Sequence, residues 1–493
     1  MTDDMKIEDV ASALSARPAN ARPRVTVLGA GPAGIAAAYA LTKDRKADVT
    51  VYERAPVAGG NSASFQIDGI WCDYGSHRFH PVADPEVVAD VKALLGDDLL
   101  LQPRHGRIRL GGRWIHFPLK PADALMRLPK PFAASLLADM ALKPFRRRPP
   151  AGEASFSTVL LNGLGPTIAE SFYFPYVRKL WGLDPDRLAV TLAERRVSGS
   201  SVGRILARML RMLPGMKGPT TGRFYYPRRG FGQISAAMAD RAAAQGAQFR
   251  FNADVTRIRH QNGEVTGIYV RDNGRERRID SDQVYSTIPL TTVVRLLDPP
   301  PPPDVVQAAR SIRFRGMILV YLVLGTDRFT EYDAHYFPEA SIPISRMSEP
   351  KNYSSAGEPR DRTVLCAELP CDPGESWWDM SDAELGRRFA SWLGGVGLPV
   401  TVPVIRCETR RLAHAYPVYD LDYRRHFERI DSYLMGLKGL LSFGRQGLFA
   451  HDNTHHAFAM AYAAAASLKS DGSVDDAAWA AHRHDFESHR VED

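Results

Sequence analysis

The apolar positions of this chain fall into short runs divided by glycine-rich or charged stretches. Val25–Leu28 and Val49–Tyr52 are continuous apolar runs, the pattern of strands buried on both faces. Between them lie glycines 29, 31 and 34 and the helical run Ile35–Leu41, so a βαβ unit is predicted, its second strand ending in Glu53. Residues 104–118 alternate apolar and polar positions around Gly111-Gly112, which predicts a β-hairpin. Residues 119–142 and 155–217 read as mostly helical, with proline and glycine breaks. Strand character returns at 224–227, 248–260, 265–272 and 283–289, with a helix over 233–245. The five prolines 299–303 predict an extended linker. Buried strands are expected at 312–325, 362–369, 402–410 and 439–444, and a closing helix at 454–468. The alternation of strands and helices is that of an α/β fold.

Length and composition sharpen this only modestly. A chain of 493 residues is expected to form two domains. Its 44% hydrophobic and 24% charged content is ordinary for a globular protein. The net charge of +7 suits an anionic substrate such as a nucleotide diphosphate; scattered basic residues and no nucleic-acid motif argue against nucleic acid. Cys72, Cys366, Cys371 and Cys407 form no C-x-x-C and no zinc spacing, so free thiols in a reducing cytoplasm are expected and no metal is assigned. Residues 1–22 read as a polar, flexible extension rather than a signal peptide, and no apolar run is long enough to span a bilayer. Residues 201–217 combine Ile, Leu and Met with Arg at helical spacing, read as a helix packed on its own domain, and 145–150 as a solvated basic loop.

The glycine turn carries chemistry. Gly29 allows a tight turn, Gly31 lets backbone approach a pyrophosphate, and Gly34 lets helix and strand pack closely. A helix N-terminus then presents free N–H groups and partial positive charge to phosphate. Glu53, 19 positions past the last glycine, can accept hydrogen bonds from an adenosine ribose. A dinucleotide site is predicted.

The following residues choose the dinucleotide. Glu53-Arg54, Gly59-Gly60 and Asn61 resemble the FAD-binding signature of the superfamily that joins amine oxidases, phytoene desaturases and UDP-galactopyranose mutases. The resemblance implies tightly bound FAD and a Rossmann-type FAD-binding domain with an interleaved α+β substrate domain. The cofactor domain is expected to be discontinuous, from 23–103, 221–298 and 431–493, with the substrate domain in 104–220 and 304–430 and the prolines 299–303 between. It also implies cofactor contacts from Pro32 and Ala33 in the turn and from Val255.

Three further stretches resemble the mutase branch. The segment WCDYGSHRFHP (71–81) resembles a loop that lies against the flavin in mutases, with Ser76 and Arg78 as departures; His77 is the implied catalytic residue and a cofactor contact. FPYVRKLWGLDP (174–185) is similar to the mutase substrate motif, implying that Tyr176, Lys179 and Trp181 bind substrate. At the C-terminal end, Gly444-Arg445-Gln446-Gly447 followed by Asp452, Asn453 and Thr454 resembles the mutase strand–turn–helix that faces sugar diphosphate and flavin. Arg445 is the second implied catalytic residue, and Gly444, Arg445, Asp452, Asn453 and Thr454 the implied cofactor contacts. Relatives often carry N-x-D-H here; this chain has Asn453-Thr454-His455-His456, with an acid one residue earlier, at 452. Arg346 and Tyr419 are ranked as substrate residues, with Tyr321, Tyr353, Arg410 and Tyr416 as other candidates.

The implied activity is a cytoplasmic flavoenzyme that interconverts pyranose and furanose forms of a nucleotide-diphosphate sugar through an adduct at N5 of reduced flavin, for polysaccharide or glycoconjugate synthesis. NADPH or NADH would serve as external reductant, and a homodimer is left open. The alternative is an FAD-dependent oxidoreductase that removes hydride from a small molecule, as amine oxidases, protoporphyrinogen oxidases and desaturases do.

Overall fold

The computed structural model describes residues 21–118, 127–143, 154–197, 222–272 and 274–491. The expectations for 1–20, 145–150 and 201–217 lie outside the described residues.

The predicted βαβ unit forms the centre of a five-stranded parallel sheet. Its strand order is 440–442, 283–286, 24–28, 48–52 and 248–250. The first helix, Pro32–Lys43, is rich in buried alanines at 36, 37, 38 and 40. Small side chains let it pack closely against the Thr454–Ala466 helix, where Ala457, Ala461 and Ala464 face the same core. The Gln233–Ala244 helix adds Ile234, Met238 and Ala242 to that core.

A second, seven-stranded sheet gathers distant parts of the chain. Its order is 404–417, 314–324, 363–370, 346–348, 334–336, 106–110 and 113–117. The predicted hairpin forms its end, with Arg107 opposite His116 and Ile108 opposite Ile115. The 314–324 strand is buried along nearly its whole length between two neighbours, as its unbroken apolar run predicts. Strands 275–279, 264–272, 254–261 and 297–298 form a separate four-stranded sheet.

The proline run is not a free linker. His260 Nε2 donates to the Pro299 carbonyl at 2.8 Å, and Pro303 begins a helix that runs to Ser311. The fixed φ of proline suits the first turn of a helix, where no intrahelical N–H bond is lost. The four cysteines are free. Among the described residues, no helix is long and apolar enough to cross a membrane.

Candidate active site

A cavity of about 650 Å³ lies where the carboxyl ends of the parallel strands meet the seven-stranded sheet. Leu28, Tyr52 and Thr287 line it from one side; Met317, Leu319 and the 411–416 stretch line it from the other. In open α/β sheets this edge is where ligands bind.

The glycine turn shapes one wall. Gly29 has a φ of +94°, and its N–H donates to the Tyr52 carbonyl at 2.9 Å. A Cβ on Gly34 would stand 1.9 Å from the Gly29 carbonyl oxygen, so this glycine permits the close helix–strand packing. Gly31 differs: a Cβ there meets nothing within 4 Å and would project into open space. No side chain caps the helix that starts at Pro32, and Gly31, Pro32 and Ala33 line the cavity. Its positive end is therefore offered to a ligand. Gly60 packs on Gly31, a Cβ meeting Gly31 Cα at 3.2 Å, while Gly59 holds the turn through its N–H to the Ala30 carbonyl at 2.7 Å. Glu53 accepts from the Ala30 and Ala55 N–H groups, each at 2.8 Å, which fixes its carboxylate on the cavity rim beside Arg54 and Val255.

The 74–78 loop forms another wall. Buried Asp73 anchors it by accepting from Tyr226 Oη at 2.6 Å and from the Phe231 N–H at 2.9 Å. His77 Nε2 lies 3.0 Å from both the Asn61 and Tyr74 carbonyls. Only an N–H satisfies two carbonyls, so the proton is on Nε2 and Nδ1 keeps its lone pair. Burial pushes the His77 pKa below its ordinary value, favouring this neutral form. Arg346 grips Glu368 in a near-bidentate pair at 2.7 and 3.0 Å and donates to the Ser76 carbonyl at 3.3 Å. Its charge is thus matched within the protein.

Arg445 is not matched in this way. It donates to two backbone carbonyls, Ala415 at 2.8 Å and Asp452 at 3.3 Å, and its Nε is buried without a partner. Its guanidinium lies 5.2 Å from the Tyr416 ring centre, and Arg196 lies 5.5 Å from the same ring. Neither arginine has a side-chain carboxylate within ion-pair distance among the described residues. Around the whole cavity stand seven arginines and four acids. Of these, Arg78 pairs with Asp333, Arg346 with Glu368 and Arg411 with Asp382, so the uncompensated positive charge includes Arg196 and Arg445, a setting for phosphate.

Most nominated residues converge here. His77, Tyr176, Arg346, Arg445, Asp452, Asn453 and Thr454 line the cavity together with the glycine turn. Asn453 caps the Thr454–Ala466 helix in a reciprocal arrangement with His456. Gly34, Gly59 and Gly444 shape the wall from behind; a Cβ on Gly444 would stand 2.7 Å from that of Ala33.

Three substrate candidates do not reach the cavity, and the expectation for them is corrected. Lys179 Nζ donates to the carbonyls of Phe337, Glu339 and Ile344 at 2.5, 2.9 and 3.1 Å, pinning that loop. Burial pushes its pKa down to about 7. Trp181 is 4% exposed and packs among Tyr416, His451 and core leucines. Tyr419 donates to the Phe449 carbonyl at 2.7 Å and stacks on Tyr423 at 4.0 Å. Of the further tyrosines and arginines, Tyr416 lines the cavity, while Tyr321 is buried and donates to the Asp73 carbonyl at 2.6 Å. Sequence reasoning missed Arg196, Arg295 and Tyr336 as lining residues. The basic pair ending the 174–197 stretch was the one local signal for Arg196; tertiary packing alone brings the other two.

Comparison with known proteins identifies the class. The family described as flavin containing amine oxidoreductase matches residues 32–413, and the chain belongs to it. No curated protein matches the chain. Among solved structures, reduced UDP-galactopyranose mutase is similar with a TM-score of 0.78 at 20% identity, over 95% of this chain and 100% of that one. An Exiguobacterium sp. 255-15 protein described as a candidate protoporphyrinogen oxidase gives 0.68 at 19% identity, over 90% and 98%. Putrescine oxidase bound to putrescine gives 0.59 at 19%, also over 90% and 98%. At these identities the likeness is one of fold, and the fold is that of a UDP-galactopyranose mutase-like member of the FAD amine oxidase superfamily. The residues present fit FAD. Gly31 leaves open space at an uncapped helix end, and Glu53 sits fixed on the rim.

Proposed function

We propose that this flavoenzyme acts on a nucleotide-diphosphate sugar, interconverting its pyranose and furanose forms for polysaccharide or glycoconjugate synthesis. The observation that carries the reading is the Arg196–Tyr416–Arg445 stack. It places two guanidinium groups without carboxylate partners on the cavity wall, as a diphosphate requires. The fold likeness to UDP-galactopyranose mutase supports it.

FAD bound here in its reduced form, with NADPH or NADH as the source of electrons, would supply an electron-rich nucleophile for the anomeric carbon. The chain's own residues do the rest. The helix end at Gly31–Ala33 and the Glu53 carboxylate hold the cofactor's phosphates and ribose. Arg445 and Arg196 hold the substrate's phosphates and stabilise the departing diphosphate. His77, with its proton tied to two carbonyls, presents a lone pair on Nδ1. Tyr176 and Tyr336 offer aromatic faces.

Hydride removal from an amine is the competing reading from the family. Two guanidinium groups on the wall without carboxylate partners among the described residues disfavour a cationic substrate. A spectral titration separates the two. UDP-, GDP- or dTDP-sugars should perturb the bound reduced flavin, while amines leave it unchanged; perturbation by amines alone would overturn the reading.

A further inference from the structure

Asp452 lies at the foot of the cavity wall that continues into Asn453 and Thr454. It is 2% exposed, and the nitrogens of an arginine and two histidines surround its carboxylate. These are Arg195 Nη1 at 3.8 Å, His456 Nδ1 at 3.8 Å and His489 Nδ1 at 3.3 Å. His489 arrives from beyond the Asp476–Glu487 helix. Its ring stacks on His456 with centroids 4.2 Å apart and planes 14° from parallel. Two residues later the Val491 N–H donates to the Arg195 carbonyl at 2.9 Å, and Val491, 4% exposed, lines the cavity. One short C-terminal segment therefore touches two walls. One is the Val190–Arg196 helix, which carries Arg196; the other is the Asp452–Thr454 turn.

We propose that this segment is a clasp of the active site, in which His489 is a positioning residue. Its hydrogen bond fixes Asp452 and so the turn that faces the cofactor, while Val491 ties down the helix that presents Arg196. The proposal rests on the cavity's holding FAD and not on the identity of the sugar. The physical need is plain. Asp452 Oδ1 is buried with no hydrogen bond, so the carboxylate depends on the groups around Oδ2 and on nearby positive charge. Removing His489 leaves a buried charge short of partners, and the turn relieves this by moving.

One carboxylate oxygen of Asp452 and one ring nitrogen each of His456 and His489 lie within 4.8 Å of one another, close enough for a cation. The geometry speaks against one. The imidazoles lie face to face instead of fanning around a point. His456 Nδ1 already accepts the Asn453 N–H at 3.2 Å, and Arg195 supplies positive charge on the other side.

The test uses the full FAD-loaded chain with His489→Ala, His489→Phe and His489→Asn. Phenylalanine keeps the stack and loses the donor; asparagine keeps a donor near Nδ1. With Ala and Phe, the FAD dissociation constant should rise about three- to tenfold and the flavin absorbance and fluorescence should change. Asn should restore both. Hydrogen exchange at 190–196 and at 452–456 should rise together in the alanine variant. The proposal is overturned by an unchanged flavin signature in all three variants, even with a lowered Tm. Failure of Asn to restore the signature overturns it too, as does submicromolar Zn²⁺ binding that His489→Ala abolishes. No sugar nucleotide enters these readouts, so failure of the sugar reading leaves them untouched.

Discussion

Arg445 is buried, and among the described residues its charge is answered only by backbone carbonyls and an aromatic face. Replacing it with alanine should weaken sugar-nucleotide binding by about 1.5–3 kcal/mol, roughly tenfold or more in Kd, while FAD stays bound. Calorimetric titration of the reduced variant checks this, and an unchanged Kd removes Arg445 from the substrate site. Lys179 predicts a different readout. Its native pKa of about 7 lies below the ordinary 10.5, so between these values the unfolded chain holds a proton that the native chain has released. Unfolding then takes up a proton, and stability at this site rises with pH across that window, by at most about 1.4 kcal/mol per pH unit. Below pH 7 both states are protonated and the gradient vanishes. Denaturant unfolding from pH 7 to 9 should show a flatter profile in Lys179→Met than in the wild type. The motif around 174–185 announced its residues but not their directions. On the Phe174–Trp181 helix, Tyr176 and Leu180, four apart, face the cavity. Lys179 and Trp181 lie off that face, and a motif's spacing does not say which side its tertiary partners occupy.

At the scale of elements, the glycine turn was the most legible part, because each glycine answers a local steric demand. Two of them predict opposite behaviour. Gly34→Ala forces a methyl against the Gly29 carbonyl, and should lower the stability of the apoprotein by about 1–3 kcal/mol or prevent folding. Gly31→Ala adds a methyl that meets no protein atom, at a φ of −76° that alanine accepts. It should leave the Tm of the apoprotein nearly unchanged and weaken FAD binding, because the methyl enters the space for the cofactor. Thermal melts of both apoproteins with FAD titrations check the pair; equal Tm losses would contradict it. Less legible was the edge strand, which runs from Val404 to Pro417 rather than ending at 410. Its extension pairs with 314–317 across a bulge, which breaks the regular alternation that marks a strand. The proline run is extended as far as Pro302, and composition does not reveal that Pro303 serves as a helix start.

At the scale of the molecule, the cavity is an assembly product. The seven-stranded sheet joins 106–117 to 314–417, pairing Gly106 with Ala334 in parallel. The lining arginines come from at least six separate stretches of chain, at 54, 78, 196, 295, 346, 411 and 445. Glycine and strand patterns made the turn at 29–34 and Glu53 readable, since their contacts are local in sequence. The rest of the cavity wall depends on sheet pairing and on the C-terminal segment, which no local pattern encodes. On the proposed function, the arginines that line the cavity favour an anionic sugar nucleotide over a cationic amine. The most direct test is chromatographic analysis of ring form after the reduced, FAD-loaded protein is incubated anaerobically with a panel of UDP-, GDP- and dTDP-sugars. The account predicts conversion of at least one pyranose to its furanose, dependent on reduced flavin and lost with Arg445→Ala. Hydrogen peroxide released from an amine under air, with no ring-form conversion of any sugar nucleotide, would contradict it.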